Sequence, residues 1–302
     1  MTLLDKAIVR LLPVVPKPVV QLFSARYIAG STLDEAVEVV RALNLKGKLA
    51  TIDVLGEEIT RESEARAIAQ AYCDVFTAIE REHLDSNVSI KPTALGLNLS
   101  YERCRENLET VLSEAARYGN FVRIDMEDSS TTSDTLRMYR ELRESGFDNV
   151  GVVLQAYLRR TLDDIRALAD LKPNVRLCKG IYVEPPTIAF TDYDAVRANY
   201  VRSLDALLEA GAYVGVATHD EWLIGEALKR VDGLKPSDYE FQMLLGVRER
   251  RADELVAAGH RLRVYVPFGE HWYQYSLRRL QENPAMTGTI AKATVGRVLG
   301  RS

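Results

Sequence analysis

The sequence predicts an α/β fold, a (βα)8 barrel of the TIM type. Eight short runs rich in strand-forming residues begin 22 to 39 residues apart along the chain. The stretches between them carry apolar residues at helical spacing, and eight strand–helix units in roughly 240 residues are typical of such a barrel. A doubly wound sheet is the alternative, but no Gly-x-Gly-x-x-Gly turn follows any predicted strand. The barrel is therefore the favoured fold.

The eight predicted strands are alternating or continuous apolar runs bounded by turn residues. They are residues 49–55, 88–95, 121–127, 149–157, 175–179, 212–219, 239–244 and 261–267. Three of the intervening helices should end at Gly119, Gly146 and Gly211, because glycine readily adopts the left-handed conformation that closes a helix.

Residues 1–48 precede the first predicted strand and are expected to form a helical arm packed on the barrel. Ser31 and Thr32 are suited to cap a helix in the apolar-patterned run that follows them. We expect three regions in the chain: the arm at 1–48, the barrel at 49–288 and a C-terminal tail at 289–302.

The composition excludes several classes of function. Lys plus Arg number 39 and Asp plus Glu number 43, so the net charge of −4 gives no electrostatic reason to expect a nucleic-acid partner. Three cysteines cannot complete a disulfide framework, which favours a reducing, cytoplasmic location. The four histidines are scattered and show no zinc-binding spacing, so no metal site is expected.

The alternation of residues in the third predicted strand separates an apolar face from a charged one. The apolar face carries Val122, Ile124 and Met126. The charged face carries Arg123, Asp125 and Glu127. Because the apolar face should meet the surrounding helices, the charged face is predicted to point into the barrel.

Other strands show the same arrangement. The polar residues that lie opposite apolar faces, or near strand ends, are Lys91, Gln155, Arg176, His219 and Tyr265. They lie toward the carboxyl ends of their strands, which is the face where barrel enzymes carry their active sites. A barrel interior that served packing alone would use branched aliphatic residues, so this pattern indicates a functional site.

Two of these inward residues are the strongest catalytic candidates. Asp125 provides a carboxylate that can hold a cationic partner or steer a substrate amine, whereas Asp128 and Ser129 more simply cap the next helix. Arg176 is predicted to point inward, and Gly180 would let the backbone come close to a flat ligand.

Three further residues have alternative interpretations. Lys179 fits either a solvated charge beside a proline-containing loop or a Schiff-base lysine like that of a barrel aldolase. His219 fits a structural imidazole as well as a ligand contact, next to Asp220 as the predicted cap of a helix. Cys178 is most simply a buried core thiol.

A late helical segment carries two adjacent arginines. Helical spacing aligns Tyr275 with Arg278 or Arg279 and with Glu282 along one face. One interpretation is a solvated helix with an internal Arg–Glu pair. The other is a carboxylate receptor, in which two guanidinium groups offer forked donors to a small acid and Lys91 supplies a third cation.

The chain resembles the proline dehydrogenases, in particular the short, monofunctional bacterial type. Six blocks carry the resemblance, in order and each at or just beyond a different strand end: VRIDMEDS, LQAYLRRT, RLCKGIYVEP, ATHD, EFQMLLGVR and RVYVPFGEHWYQYSLRRLQEN. Together they are highly specific, although any one of them alone is a weak signal. The region before Lys48 carries little of the resemblance.

The resemblance implies a distorted (βα)8 barrel with non-covalent FAD and with the last helix over the barrel mouth. It also implies oxidation of L-proline to Δ1-pyrroline-5-carboxylate by hydride transfer to flavin N5, the first step of proline degradation to glutamate. Electrons would then pass to a quinone. A Δ1-pyrroline-5-carboxylate dehydrogenase is a natural partner for the product.

The resemblance also assigns roles to individual residues. Asp125 and Arg176 would be catalytic. The substrate-binding residues would be Lys91, Leu244, Tyr265, Tyr275, Arg278 and Arg279. The cofactor-binding residues would be Ile124, Gln155, Arg176, Lys179, Gly180, Ile181, Tyr182, Thr218 and His219.

Two alternatives from other classes stay open at this stage. A Schiff-base lyase would rest on Lys179 or Lys91 and would need no flavin. A flavin-binding protein without catalysis would keep Gln155, Arg176 and His219 but would not turn over proline.

No segment of the chain is expected to span a membrane. The apolar stretch at 3–23 is interrupted by Lys6, Arg10 and Lys17 as well as by prolines. Peripheral contact with the inner membrane stays open, but a helix packed on the barrel is the simpler interpretation.

Overall fold

Eight parallel strands pair side by side in chain order and close into a barrel. The structure, a computed structural model, describes residues 26–56, 59–273 and 276. The strands are β1 (Leu49–Val54), β2 (Ser86–Ile90), β3 (Val122–Ile124), β4 (Val150–Gln155), β5 (Asn174–Cys178), β6 (Tyr213–Ala217), β7 (Tyr239–Leu244) and β8 (Leu262–Phe268). Every strand pairs with its neighbours in sequence, and β8 pairs with β1 to close the barrel.

Helices follow the strands around the outside of the barrel. They are α1 (Leu33–Asn44), α2 (Glu62–Arg81), α3 (Tyr101–Arg117), α4 (Ser129–Glu144), α5 (Thr161–Leu168), α6 (Tyr193–Glu209), α7 (Glu221–Val231) and α8 (Glu249–Ala257), with a short 3-10 turn (Ala169–Leu171) after α5. This alternation of strands and helices confirms the predicted (βα)8 barrel.

Helix α1, which precedes the first strand, packs on the barrel itself. It contacts β1 and β8 and lies beside α2, so it covers the junction where the barrel closes. Thr32 caps its first turn, as the sequence predicts, and Glu35 completes a capping box with it. The last helix that the resemblance places over the barrel mouth lies outside the described residues, and the division at 1–48, 49–288 and 289–302 stays a prediction.

The ends of several helices are where the sequence predicts them. Gly119, Gly146 and Gly211 have positive φ angles of 62°, 94° and 68° and lie two residues after the ends of α3, α4 and α6. The side chains of Asp128 and Asp220 accept hydrogen bonds from the first turns of α4 and α7, which confirms both predicted N-caps.

Strands β2, β3 and β6 end earlier than the sequence predicts. Pro92 lacks an N–H group, and the chain turns there, with Leu95 N donating to the carbonyl of Pro92. As a result Lys91, Asp125 and His219 lie just beyond the strands and not on them. Lys91, expected on the second strand, is thus at the barrel mouth.

The barrel has an apolar outer layer and a polar interior. Val88, Val122 and Val152 belong to the hydrophobic core between strands and helices. Buried charged residues such as Arg123 and Arg263 belong to the opposite strand faces. Glu127, which alternation grouped with the inward residues, instead accepts hydrogen bonds from the backbone N and hydroxyl of Thr93, at 2.9 and 2.5 Å, because β3 has already ended.

Inside the barrel, the side chain of Arg123 leaves no room for a side chain at Gly151 of β4. The guanidinium group of Arg123 donates to the carbonyl oxygens of Val152 and Asn174 at 3.0 and 2.6 Å. A Cβ atom on Gly151 would lie 2.5 Å from the Asn174 carbonyl oxygen and would also overlap the Arg123 guanidinium. The glycine is therefore required for the buried arginine to cross this strand.

We predict that Gly151→Ala lowers the free energy of unfolding by roughly 2 kcal/mol or more, because the new methyl group must displace backbone. Gly225→Ala is the matched control, since nothing lies within 4 Å of its added Cβ in α7. It should leave stability unchanged or raise it by up to about 1 kcal/mol. Urea unfolding measures both, and equal stabilities for the two variants would contradict the crowding argument.

Candidate active site

Two oppositely charged side chains meet at the mouth of the barrel, at the ends of β1 and β2. Lys91 Nζ lies 2.7 Å from Asp53 Oδ2 and 3.4 Å from the hydroxyl of Tyr265. Asp53 is fully buried in β1, and the side chain of Lys91 is nearly so. The hydroxyl of Tyr265 also donates to Asp125 Oδ2 at 3.1 Å, which connects this pair to the next strand end.

A second ion pair crosses the barrel interior. Asp125 Oδ1 accepts hydrogen bonds of 2.7 Å from Arg176 Nη1 and from the hydroxyl of Ser89. The Arg176 guanidinium also lies 5.3 Å from the centre of the Tyr265 ring, within range of a cation–π contact. We call Asp53, Lys91, Asp125 and Arg176 the mouth cluster; its two positive and two negative groups balance.

Polar residues deeper in the barrel support Arg176 from below. Arg176 Nε donates to Gln242 Oε1 at 2.5 Å, and the Gln242 amide donates to Glu240 at 2.5 Å. Arg263 Nε donates to the same Glu240 oxygen at 2.7 Å. Burial acts to raise the pKa of Glu240, but the charge and hydrogen bond of Arg263 outweigh it and hold that pKa below its usual value.

Asp220 organises a second group of residues at the end of β6. Its carboxylate accepts hydrogen bonds from Arg197 at 2.7 and 2.9 Å and from the hydroxyl of Tyr193 at 2.6 Å, and Lys179 Nζ lies 3.4 Å away. Thr218 Oγ1 accepts from the backbone N of Asp220 at 3.1 Å. Burial acts to raise the pKa of Asp220, but the hydrogen bonds of Arg197 and Tyr193 and the charge of Lys179 hold it well below its usual range.

A backbone hydrogen bond connects a predicted cofactor residue to a predicted substrate residue. The backbone N of Leu244 donates to His219 Nε2 at 3.0 Å. Since Nε2 is the acceptor, a neutral imidazole carries its proton on Nδ1. Leu244 in turn lies opposite Tyr265 in the pairing of β7 with β8.

The end of β4 presents a buried polar atom that no neighbour satisfies. The Gln155 amide nitrogen donates to the carbonyl of Met126 at 3.2 Å, whereas its Oε1 has no hydrogen-bond partner among the described residues. Nearby, Gly180 has φ 103°, and a Cβ there would overlap the ring of Tyr157. Because buried acceptors are rarely left unpaired, Gln155 Oε1 is available to accept a hydrogen bond from a ligand at the end of β4.

Several of the predicted site residues lie outside the polar interior of the barrel, in the apolar core or on an exposed loop. The side chain of Ile124 is enclosed in the hydrophobic core, so only its backbone is available to a ligand. Ile181 is 42% exposed on the loop after β5, and Tyr182 beside it is half-buried. Cys178, expected in the core, is only half-buried, and burial raises its pKa to about 11. Tyr275, Arg278 and Arg279 lie outside the described residues.

Asp53 and Gln242 are part of the site but were not among the predicted residues. Alternation in the first strand contains the signal for Asp53, because Thr51 and Asp53 lie opposite the apolar pair Ala50 and Ile52. The same test on β7 aligns Glu240 with Gln242. Both could therefore have been found by extending the alternation test to every strand.

The family model described as "Proline dehydrogenase" matches residues 36–292. The chain belongs to the proline dehydrogenase family. Proline dehydrogenase 1 of Bacillus subtilis strain 168 is 41% identical over 274 residues, which cover 90% of each chain. The proline dehydrogenase of Deinococcus radiodurans is 38% identical over 268 residues, 86% of each chain. The chain is accordingly an oxidoreductase that oxidises proline, the first step of proline catabolism, in a family that depends on flavin.

Solved structures of the larger PutA proteins have the same fold. Proline utilization A from Bdellovibrio bacteriovorus, inactivated by N-propargylglycine, matches with a TM-score of 0.80 and 27% identity over 86% of this chain and 32% of that one. The protein from Corynebacterium freiburgense matches with a TM-score of 0.78 and 22% identity, over 97% and 34%. This chain therefore spans about a third of the PutA chains. Among the described helices, none is long and apolar enough to cross a membrane.

We predict that Asp220→Asn lowers the free energy of unfolding by roughly 3 kcal/mol at pH 7, because it leaves the cations around it without their buried carboxylate. Asparagine keeps the helix cap, so the change isolates the charge. Since folding lowers this pKa, the contribution is complete above the unfolded value of about 3.9 and is lost as the pH falls below it.

Urea unfolding between pH 7 and about pH 2.5 measures this effect, because most of the predicted loss falls below pH 4. The gap between the native protein and Asp220→Asn should stay constant down to about pH 5 and then shrink. Asp170→Asn, which breaks an exposed pair with Arg140, should change stability little at any of these pH values. A gap that widens toward acid would contradict the assignment.

Proposed function

We propose that the chain is an FAD-dependent enzyme that oxidises L-proline to Δ1-pyrroline-5-carboxylate and passes the electrons to a quinone. The observation that carries the proposal is the mouth cluster, whose charged side chains are buried and paired. It is accompanied by the amide oxygen of Gln155, which has no hydrogen-bond partner in the part of the chain that the structure describes. A buried arrangement of this kind suits a small charged substrate next to a polar ring system.

The residues present fit a flavin. Gln155 Oε1 needs a donor, and a flavin ring N–H is one. We assign Gln155 and Arg176 to the isoalloxazine ring. The rest of the FAD site is assigned to Lys179, Gly180, Ile181, Tyr182, Thr218 and His219, with Ile124 contributing backbone only. When bound, the flavin accepts at N5 the hydride that leaves the proline carbon next to nitrogen.

Charge balance argues for further cations at the substrate site. Lys91 and Arg176 are matched by Asp53 and Asp125, so the mouth cluster alone offers no net attraction to a carboxylate. Arg278 and Arg279 would supply the missing positive charge and, with Lys91, would bind the proline carboxylate. Tyr265, Tyr275 and Leu244 would enclose the ring.

Asp125 and Arg176 act as a unit in this proposal. The carboxylate of Asp125 holds the Arg176 guanidinium at 2.7 Å, while Gln242 holds its Nε from below. The guanidinium is thereby fixed where it can stabilise negative charge that develops as the electrons arrive. Because it is aimed before the reaction, it does not have to reorganise during it.

The remaining assignments rest on the resemblance and on the relatives. We propose a cytoplasmic enzyme, with peripheral contact at the inner membrane as the point where a quinone would be met. The Escherichia coli protein named "Bifunctional protein PutA" is 28% identical over 89% of this chain. By analogy with such fused relatives, we propose that the product passes to a Δ1-pyrroline-5-carboxylate dehydrogenase.

The lyase alternative is not favoured. Lys179 Nζ lies 3.4 Å from the Asp220 carboxylate and 5.0 Å from the centre of the Tyr193 ring, so an ion pair and a ring contact engage the nitrogen that would have to attack a carbonyl. A Schiff-base lysine must instead be neutral in order to attack a carbonyl.

Absorbance spectra of the purified protein test the proposal first. Flavin bands should be present, or appear on reconstitution with FAD, and should bleach when L-proline is added without oxygen. D-proline, added in the same way, is the control. Bands that persist with L-proline would refute proline as the reductant, and a protein that cannot take up FAD would refute the cofactor.

We predict that Arg278→Ala or Arg279→Ala raises the Michaelis constant for proline strongly while flavin content is unchanged. Loss of one such charged contact should cost roughly 2–4 kcal/mol of binding. Arg250→Ala, an exposed arginine of α8, is the control and should behave like the native enzyme. Steady-state kinetics decide, and unchanged proline kinetics in both variants would remove the carboxylate-receptor assignment.

A further inference from the structure

Asp53 is a buried carboxylate with two side-chain contacts, one inside the barrel and one outside. Its Oδ2 lies 2.7 Å from Lys91 Nζ, and its Oδ1 lies 3.1 Å from the hydroxyl of Tyr72 in α2. The Ser89 carbonyl oxygen, 2.8 Å away, shares the single proton of this hydroxyl with Asp53, and the hydroxyl oxygen accepts from the backbone N of Val54 at 3.3 Å. Tyr72 is itself fully buried, so the carboxylate is held from the helix layer.

Lys91 requires such support because of its chemistry and its position. Its ammonium group ends a flexible four-carbon stem, and the residue follows the last residue of β2. A buried ammonium without a counter-ion tends to lose its proton, and a neutral amine does not attract a carboxylate. Lys91 and a second cation, Arg176, both contact Tyr265, so two positive groups share this part of the barrel.

We propose that Asp53 is a positioning residue that keeps Lys91 charged and aimed at the substrate carboxylate, and that Tyr72 fixes Asp53 for this task. The inference rests on the proposed function, in which Lys91 binds the proline carboxylate. Asp53 itself touches neither substrate nor flavin in this scheme. Its effect is transmitted through Lys91 alone.

Simple charge counting predicts the opposite effect of removing Asp53. Loss of a negative charge makes the barrel mouth more positive, which would tighten the binding of an anion. The positioning role predicts weaker binding, because the ammonium loses both its counter-ion and its fixed location. Whether removal of Asp53 tightens or weakens anion binding therefore distinguishes a simple charge effect from the positioning role.

The first test measures ligand binding without turnover. Tetrahydrofuran-2-carboxylate keeps the ring and carboxylate of proline but has oxygen in place of the amine. Its dissociation constant can be obtained from the shift of the flavin absorbance bands in the holoenzyme. Asp53→Asn should weaken its binding, and raise the proline Michaelis constant, by roughly tenfold, on the scale of lost outer carboxylate contacts. The turnover number should fall much less. Unchanged or tighter binding would overturn the proposal.

The second test asks whether Asp53 acts through Lys91. In the Lys91→Met background, adding Asp53→Asn should produce no further loss of binding, since the group it positions is already gone. Independent, additive losses would overturn the proposal. Asp164→Asn is the matched control, because Asp164 is a buried carboxylate that pairs with Arg160 at the start of α5 and makes no hydrogen bond to the mouth cluster among the described residues. It should lower stability without changing the dissociation constant.

Tyr72→Phe keeps the proposal testable if Asp53→Asn fails to fold. It removes only the hydroxyl and should weaken binding in the same direction but to a smaller degree, and native affinity in this variant would count against the proposal. Failure of the proposed function is seen separately, because the native holoenzyme would then not be bleached by proline. Bleaching with unaltered affinity in the variants would overturn the positioning role alone.

Discussion

The arrangement of the polar interior depends on the ion pair between Asp125 and Arg176, which joins the end of β3 to β5 across the inside of the barrel. Both groups are removed from water, so either one alone would be a buried charge without compensation. This requirement determines the surroundings of the pair. The Ser89 hydroxyl donates a hydrogen bond to the Asp125 carboxylate, and Gln242 accepts one from Arg176 Nε. The Gln242 side chain has space only because it lies against Gly215 of β6, where a Cβ would lie 2.5 Å from the Gln242 amide nitrogen.

The barrel keeps its stability and its chemistry in separate layers. The apolar faces of the strands pack against the helices, and this continuous core provides the burial that holds the fold. The interior is polar and gains little net stability from its ion pairs, since desolvation offsets most of their attraction. The arrangement is therefore better explained by a functional interior than by packing, which would use branched aliphatic residues there.

Local sequence signals predicted the features that depend on local physics. Strand alternation, glycine helix ends and the caps at Thr32, Asp128 and Asp220 depend on a few neighbouring residues, and all agree with the structure. The strand ends were less accurate, because Pro92 ends β2 before Lys91. The contact between Asp53 and Lys91 could not be predicted, because the register of β1 with β2 is a property of the closed barrel. Gln242, by contrast, shares a strand face with Glu240, a local signal that alternation in β7 contains.

The pairing of every charge in the mouth cluster has a consequence for how a substrate would be bound. Lys91 already has its counter-ion, and Arg176 has three hydrogen-bonding neighbours. An incoming carboxylate would therefore meet an ammonium group that is charged and oriented beforehand, and it would not have to pay the entropy of ordering that side chain. Such a site orients the lysine but attracts an anion less strongly, because the same aspartate that orients the lysine also cancels its charge. The arrangement therefore suits a substrate whose ring must be presented in one orientation more than one that must be bound tightly.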